Sequence, residues 1–197
     1  MSAADGDVGD DVADGDGGAQ PVGRTIGLPE PCLVVLVGAA GAGKSTLAAR
    51  LFSPEEVLSS DAHRALVAGD ESDQGATKTA FSILHRRLGR RMAERRTTVV
   101  DATNVTSFAR RSLVRRAASQ GIPAIAIVLD LPPALVLARN ATRVGRVVPE
   151  DAVRRQLGEL AGSLRRTDFG TEGFAAVHRI RTGAELDGLE VARSPAN

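Results

Sequence analysis

A layered α/β fold, with a parallel sheet covered by helices on both faces, is predicted for this chain by three observations. Runs such as residues 32–37 and 122–130 are almost wholly apolar, as strands buried on both faces must be. Stretches of helical period separate these runs, so strands and helices alternate along the chain. Several runs end in an acid, Asp61 and Asp101 among them, and open α/β sheets bind their ligands beyond the carboxyl ends of their strands.

In chain order, residues 32–37 form the first strand and residues 45–51 open the first helix. Residues 55–61 read as a second strand, 62–67 as a helical turn or two, and the polar run 69–75 as a loop. Residues 77–96 place Phe81, Leu84, Leu88 and Met92 on one helical face. Six arginines, Arg86 to Arg96, occupy the other faces; with no aromatic interleaved, they read as a solvated surface or as a contact to nucleic-acid backbone. Residues 97–101 and 107–119 give the next strand and helix. After the strand at 122–130, Pro132 and Pro133 suit the first turn of a helix reaching about Val144. A helix at 150–166 and a strand at 176–180 complete the alternation.

The net charge of +1 conceals an asymmetry, because residues 1–30 hold seven acids against Arg24 and the remaining residues are basic. Asp5, Asp7, Asp10, Asp11, Asp14 and Asp16 alternate with small residues, too little apolar surface to offset the entropy of ordering. Residues 1–30 are therefore expected to be a disordered acidic tail whose removal leaves folding intact. Residues 31–183 form the expected domain and 184–197 a C-terminal tail. The basic balance suits a polyanion such as nucleic acid, with ordinary solubilising charge as the alternative. The single cysteine, Cys32, excludes a disulfide within the chain and suits a reducing compartment. No secretory leader pattern and no apolar run near 18 residues is present, so a cytoplasmic protein without membrane contact is expected. His63, His85 and His178 lack metal-ligand spacing.

The chemistry begins at Gly38-Ala39-Ala40-Gly41-Ala42-Gly43-Lys44-Ser45, which fits G-x-x-x-x-G-K-S/T between a strand and a helix. Its glycines let the backbone approach anionic oxygens, Lys44 is placed to reach the β- and γ-phosphates of ATP, and the Ser45 hydroxyl to ligate Mg²⁺. Thr46 continues the motif into the helix. Asp61 is placed either to take the proton of an acceptor hydroxyl or to cap the helix that follows. Arg64, one turn on, either binds a substrate phosphate, pairs with Asp61 or is solvated. Asp101 either acts on Mg²⁺ and its waters, fixes the loop after it, or orients Arg64. Arg139, Arg143 and Arg146 share one face if their helix is continuous, giving a cationic lid or a solvated stripe.

Taken in order, these motifs resemble the P-loop polynucleotide 5′-hydroxyl kinase family, in particular the kinase domain of bacterial polynucleotide kinase-phosphatase end-healing enzymes. The resemblance rests on Gly43-Lys44-Ser45-Thr46, Ser59-Ser60-Asp61 with Arg64, residues 70–74, Val99-Val100-Asp101-Ala102-Thr103-Asn104-Val105, Leu131-Pro132, Arg139-Asn140 with Arg143 and Arg146, and Glu172-Gly173-Phe174. It implies a kinase-type parallel sheet with the phosphate loop on a central strand, and transfer of the ATP γ-phosphate to a 5′-OH end of DNA or RNA with Mg²⁺. By position Asp61 is then the general base, Arg64 a contact to a substrate phosphate, Lys44 and Ser45 the phosphate and metal residues, Arg139, Arg143 and Arg146 the lid, and Asp101 an active-site acid. Gly69 and Gly145 stand where family members carry acids. Those relatives commonly continue into phosphatase and ligase modules; the expectation here is a stand-alone kinase, one that works beside separate phosphatase or ligase proteins, or one with another acceptor. A small-molecule kinase of the same class, acting on an antibiotic, sugar or nucleotide-sugar, is the competing expectation, since the loop and fold are common to both.

Overall fold

The computed structural model describes residues 23–62, 74–144, 147–166 and 169–195. Strands β2 (Leu33–Val37), β3 (Val57–Ser59), β4 (Thr98–Asp101), β5 (Ala124–Leu129) and β6 (Ala176–Ile180) form a five-stranded sheet in the order β3-β4-β2-β5-β6. Every pairing in it is parallel. Alternation along β2 builds both layers: Val34 and Leu36 enter one core, and Leu33, Val35 and Val37 the other. The first core is closed by α1 (Lys44–Leu51), α4 (Pro133–Ala141) and the front of α5 (Glu150–Arg166), through Leu47, Val136 and Val153. The second is closed by α2 (Gln74–Ala93) and α3 (Ser107–Ala118), through Leu84, Leu88, Met92 and Leu113. Among the described residues no helix is long and apolar enough to cross a membrane.

The expected tails need correction where the structure describes them. Residues Arg24–Glu30 form strand β1, which pairs in parallel with β7 (Leu189–Pro195) as a separate two-stranded sheet. A short helix, α6 (Gly183–Asp187), precedes β7. Ile26, Leu28 and Leu189 are at most 1% exposed and join the first core, so burial of these side chains offsets the entropy that the acidic composition brings. Residues 1–22 lie outside the described residues. Deleting residues 1–30 is therefore expected to lower the unfolding transition, and Ile26→Ala alone to cost about 2 to 4 kcal/mol in denaturant melts. Wild-type melting in both would show that β1 adds nothing to the core.

Three element boundaries also move, each for a local reason. Residues 54–56 form a 3-10 turn instead of the start of a strand, because Pro54 suits its first position and the Glu56 carboxylate accepts the Ser53 N–H at 2.9 Å. Helix α2 stops at Ala93 because Arg95 turns left-handed (φ 52°), with Arg96 N–H donating to Arg91 O and Arg95 N–H to Met92 O. Helix α4 ends at Ala141, short of Val144. Asn140 causes this by accepting the Val148 N–H (3.2 Å) and donating to Val148 O (2.7 Å), which folds the following chain back on the helix.

Candidate active site

The loop between β2 and α1 owes its path to glycine. Gly41 (φ 83°) passes so close to α4 that a Cβ there would stand 2.6 Å from Val136 O. Gly43 (φ 96°) turns the chain into α1, whose first N–H groups then face the loop. The Gly38 N–H donates to Thr103 O at 2.9 Å, and the Ala40 N–H to Gln156 Oε1 of α5 at 2.8 Å. Both braces come from distant chain, and no sequence signal marked Gln156.

Lys44 folds back over the loop, its Nζ donating to Gly38 O (2.9 Å) and Ala39 O (2.8 Å). Burial pushes its ammonium down from 10.5 to about 8, against the upward pull of Asp101 and Asp61, and Arg143 adds to the lowering. The unfolded lysine keeps its proton to higher pH than the folded one, so the unliganded fold gains stability as pH rises from about 8 towards 10.5. Phosphate reverses the balance by favouring the ammonium. ATP binding at pH 8 is thus expected to take up about half a proton, and almost none at pH 6. Calorimetry in two buffers of different ionisation enthalpy reads this directly, and identical heats at pH 8 would contradict it.

Ser45 Oγ donates to Asp101 Oδ2 at 2.7 Å. Asp101 is the buried last residue of β4, so a hydroxyl and a carboxylate meet beside the loop. These hard oxygen donors fit Mg²⁺, which accepts one or two protein oxygens and keeps its waters. The loop after Asp101 is held by other groups: Asn104 (φ 48°) donates its Nδ2 to Leu36 O at 2.8 Å, and the Arg110 guanidinium donates to Asn104 O and Val105 O.

Asp61 sits past the end of β3, where residues 60–62 are already helical. The capping position is held by Ser59, whose Oγ accepts the Ala62 N–H at 3.4 Å. One cavity of about 640 Å³ takes in Lys44, Ser45, Asp61, Asp101, Arg139 and Arg143, with Gln156, Leu186 and Asp187 on its far wall. Arg139 lies on α4, but Arg143 follows the end of that helix, so the expected continuous lid helix is corrected to a helix end and a turn that both reach the cavity. Arg64 and Arg146 lie outside the described residues. Leu186 and Asp187 were missed because they fall in the stretch expected to be a tail; Leu186 Cδ2 would stand 3.2 Å from a Cβ on Gly43.

A central strand running into a glycine loop and helix, flanked in the order β3-β4-β2-β5-β6 by parallel strands with helices on both faces, defines a P-loop kinase fold. The chain belongs to the AAA_33 family, an AAA domain, matched over residues 33–167. No curated protein matches the chain. Among solved structures, a protein of the Pnkp1/Rnl/Hen1 RNA repair complex shares the fold (TM-score 0.63, 23% identity over 72% of this chain and 48% of that one). A gluconokinase from Sinorhizobium meliloti 1021 shares it at TM-score 0.50 and 18% identity, over 82% of this chain and 93% of that one. The tunicamycin resistance protein of Deinococcus radiodurans does so at TM-score 0.50 and 18% identity, over 81% and 92%. The chain spans about half the length of the repair-complex protein. The fold and loop make this a kinase-like, nucleotide-binding domain.

Proposed function

We propose that the protein transfers the γ-phosphate of ATP to a 5′-OH end of DNA or RNA, in nucleic-acid repair alongside separate phosphatase or ligase proteins. The observation that carries this reading is the meeting of Asp61 with Lys44 and the Ser45–Asp101 pair in one cavity bordered by Arg139 and Arg143. The acceptor choice is supported by the ordered motifs from Gly43 to Phe174 and by the basic balance beyond residue 30.

In this mechanism Lys44 leaves the carbonyls of Gly38 and Ala39 and donates to the β- and γ-phosphate oxygens, while the loop N–H groups hold the rest of the polyphosphate. Asp61 accepts the proton of the attacking hydroxyl as the new O–P bond forms and the bond to the β-phosphate oxygen breaks, leaving ADP. Arg139 and Arg143, with Arg64 and Arg146 assigned by position, neutralise charge on the transferring group and the acceptor phosphates. Ser45, with Asp101 close by, would hold Mg²⁺, which would supply further charge neutralisation at the phosphate oxygens.

The second reading, a small-molecule kinase, is favoured by one fact: the chain covers nearly all of the gluconokinase and the tunicamycin resistance protein. Labelled γ-phosphate offered to an equimolar mixture of 5′-OH oligonucleotides and small alcohols separates the two. Label on the oligonucleotides supports the first reading, and label confined to a sugar or other small alcohol overturns it.

A further inference from the structure

Helices α2 and α3 contain no Asp or Glu, yet each carries several arginines. They lie side by side: Gly89 of α2 leaves room for Arg116 of α3, whose guanidinium would stand 3.3 Å from a Cβ placed there. Some of these arginines are engaged. Arg90 pairs with Glu94, Arg91 holds Thr97 and Thr98, and Arg110 is buried. Arg86, Arg111, Arg115 and Arg116 are exposed and make no ion pair among the described residues. Arg86 precedes Gly89 by three residues and so shares the face on which Arg116 lies.

The same surface carries an aromatic side chain out of its usual place. Phe108, in the first turn of α3, is 82% exposed, in a chain with five Phe and no Tyr or Trp. It opens α3 five residues after Thr103, whose loop lines the active cavity, so it lies at the end of α3 that follows that loop. Arg111 and Arg115 follow Phe108 at spacings of three and four, one stripe leading down α3 away from the site. From Phe108 to Arg116 this stripe runs about 12 Å at the rise of a helix. An exposed ring followed by unpaired cations is the combination that holds single-stranded nucleic acid, through base stacking and phosphate contact.

We propose that the α2–α3 face is the track for the acceptor strand: Phe108 stacks a base near the 5′ end, and Arg86, Arg111, Arg115 and Arg116 contact phosphates farther along. This rests on the nucleic-acid reading of the active site and gives it a direction, from the cavity-lining loop down α3. Single-stranded nucleic acid is favoured over an acidic protein because the ring sits at the end of the stripe that follows the cavity-lining loop.

The test uses a 5′-OH dinucleotide and a 5′-OH 20-mer of deoxynucleotides, with binding read by fluorescence anisotropy and transfer by labelled ATP. For the full chain, KM for the 20-mer is expected to lie about tenfold or more below that for the dinucleotide. R111A/R115A/R116A is expected to close most of that gap, leave kcat on the dinucleotide unchanged, and reduce the slope of log K against log salt by about 2. F108A is expected to raise KM about fivefold or more. Circular dichroism establishes that each variant is folded. A folded triple variant with wild-type affinity and salt slope for the 20-mer overturns the proposal, as does displacement of the 20-mer by polyglutamate of equal charge at equal concentration. If the 20-mer binds through this face but receives no phosphate, the proposed function falls and the track stands. If ends are phosphorylated and the triple variant is unchanged, the track falls and the function stands.

Discussion

Replacing Asp61 with alanine is expected to lower turnover by about 10² to 10⁴ while ATP binding persists. That range corresponds to about 3 to 5 kcal/mol of lost transition-state stabilisation. In the proposed mechanism the donor contacts come from the loop N–H groups, Lys44 and Ser45, so ATP affinity is expected to change little. Asp61→Asn distinguishes chemistry from shape, because the amide keeps the size of the carboxylate and cannot accept the proton; it should be nearly as slow as Asp61→Ala. Since Asp61 raises the Lys44 pKa, both variants should also move the proton uptake on ATP binding to lower pH. Near-normal turnover in either variant would leave Asp61 a role only in shaping the cavity, with Ser59 already serving as the helix cap.

Loss of Arg110 is expected to be the most damaging single change to stability. Its guanidinium is fully buried, and all five donor positions are used: Nε and Nη2 to the two Glu172 oxygens at 2.7 and 2.6 Å, Nη2 also to Ser163 Oγ, and Nη1 to Asn104 O and Val105 O. The Phe169 ring lies 4.1 Å from the guanidinium carbon. Removing either charge strands the other without water, so Arg110→Ala and Glu172→Ala are each expected to cost about 3 to 5 kcal/mol. In a domain of this size that lowers Tm by roughly 6 to 20 °C. Replacing both with apolar residues of similar volume should cost less than either single change, because no charge is then left unpaired. Thermal melts of the two single variants and the pair decide this; additive losses would show that Arg110 and Glu172 contribute independently. The pair also braces the loop behind Asp101 and Thr103, so the single variants should lose transfer activity below their melting range.

The phosphate loop, the central strand and the end of β4 were legible because their signals are local: spacing, apolar runs and glycine; the end of β3 was not, since the chain turns helical at Ser60 before the expected strand end at Asp61. What escaped the sequence is held by distant partners. Gln156 reaches Ala40 across 116 residues, and Arg110 meets Glu172 across 62. Neither pairing leaves a periodic trace. The early end of α4 depends on Asn140 gripping Val148, so an arginine stripe that looked continuous is broken by a side-chain hydrogen bond. The β1–β7 pair did carry a signal, the alternation of Ile26 with Leu28 and of Leu189 with Val191, but each run is short and the first adjoins an aspartate-rich stretch. Cys32 is fully buried, and burial pushes its thiol up to about 11, leaving it unreactive at neutral pH.

The central claim is that one cavity joins an ATP cradle to a site for a nucleic-acid end, with Asp61 between them. Its most direct test is end-group analysis of a 5′-OH oligonucleotide after incubation with the full chain, Mg²⁺ and γ-labelled ATP. The account predicts label as a 5′-monophosphate, with yield falling about a hundredfold or more in Asp61→Asn. ATP consumption with no label on any DNA or RNA 5′ end, and label instead on a small alcohol, would contradict it.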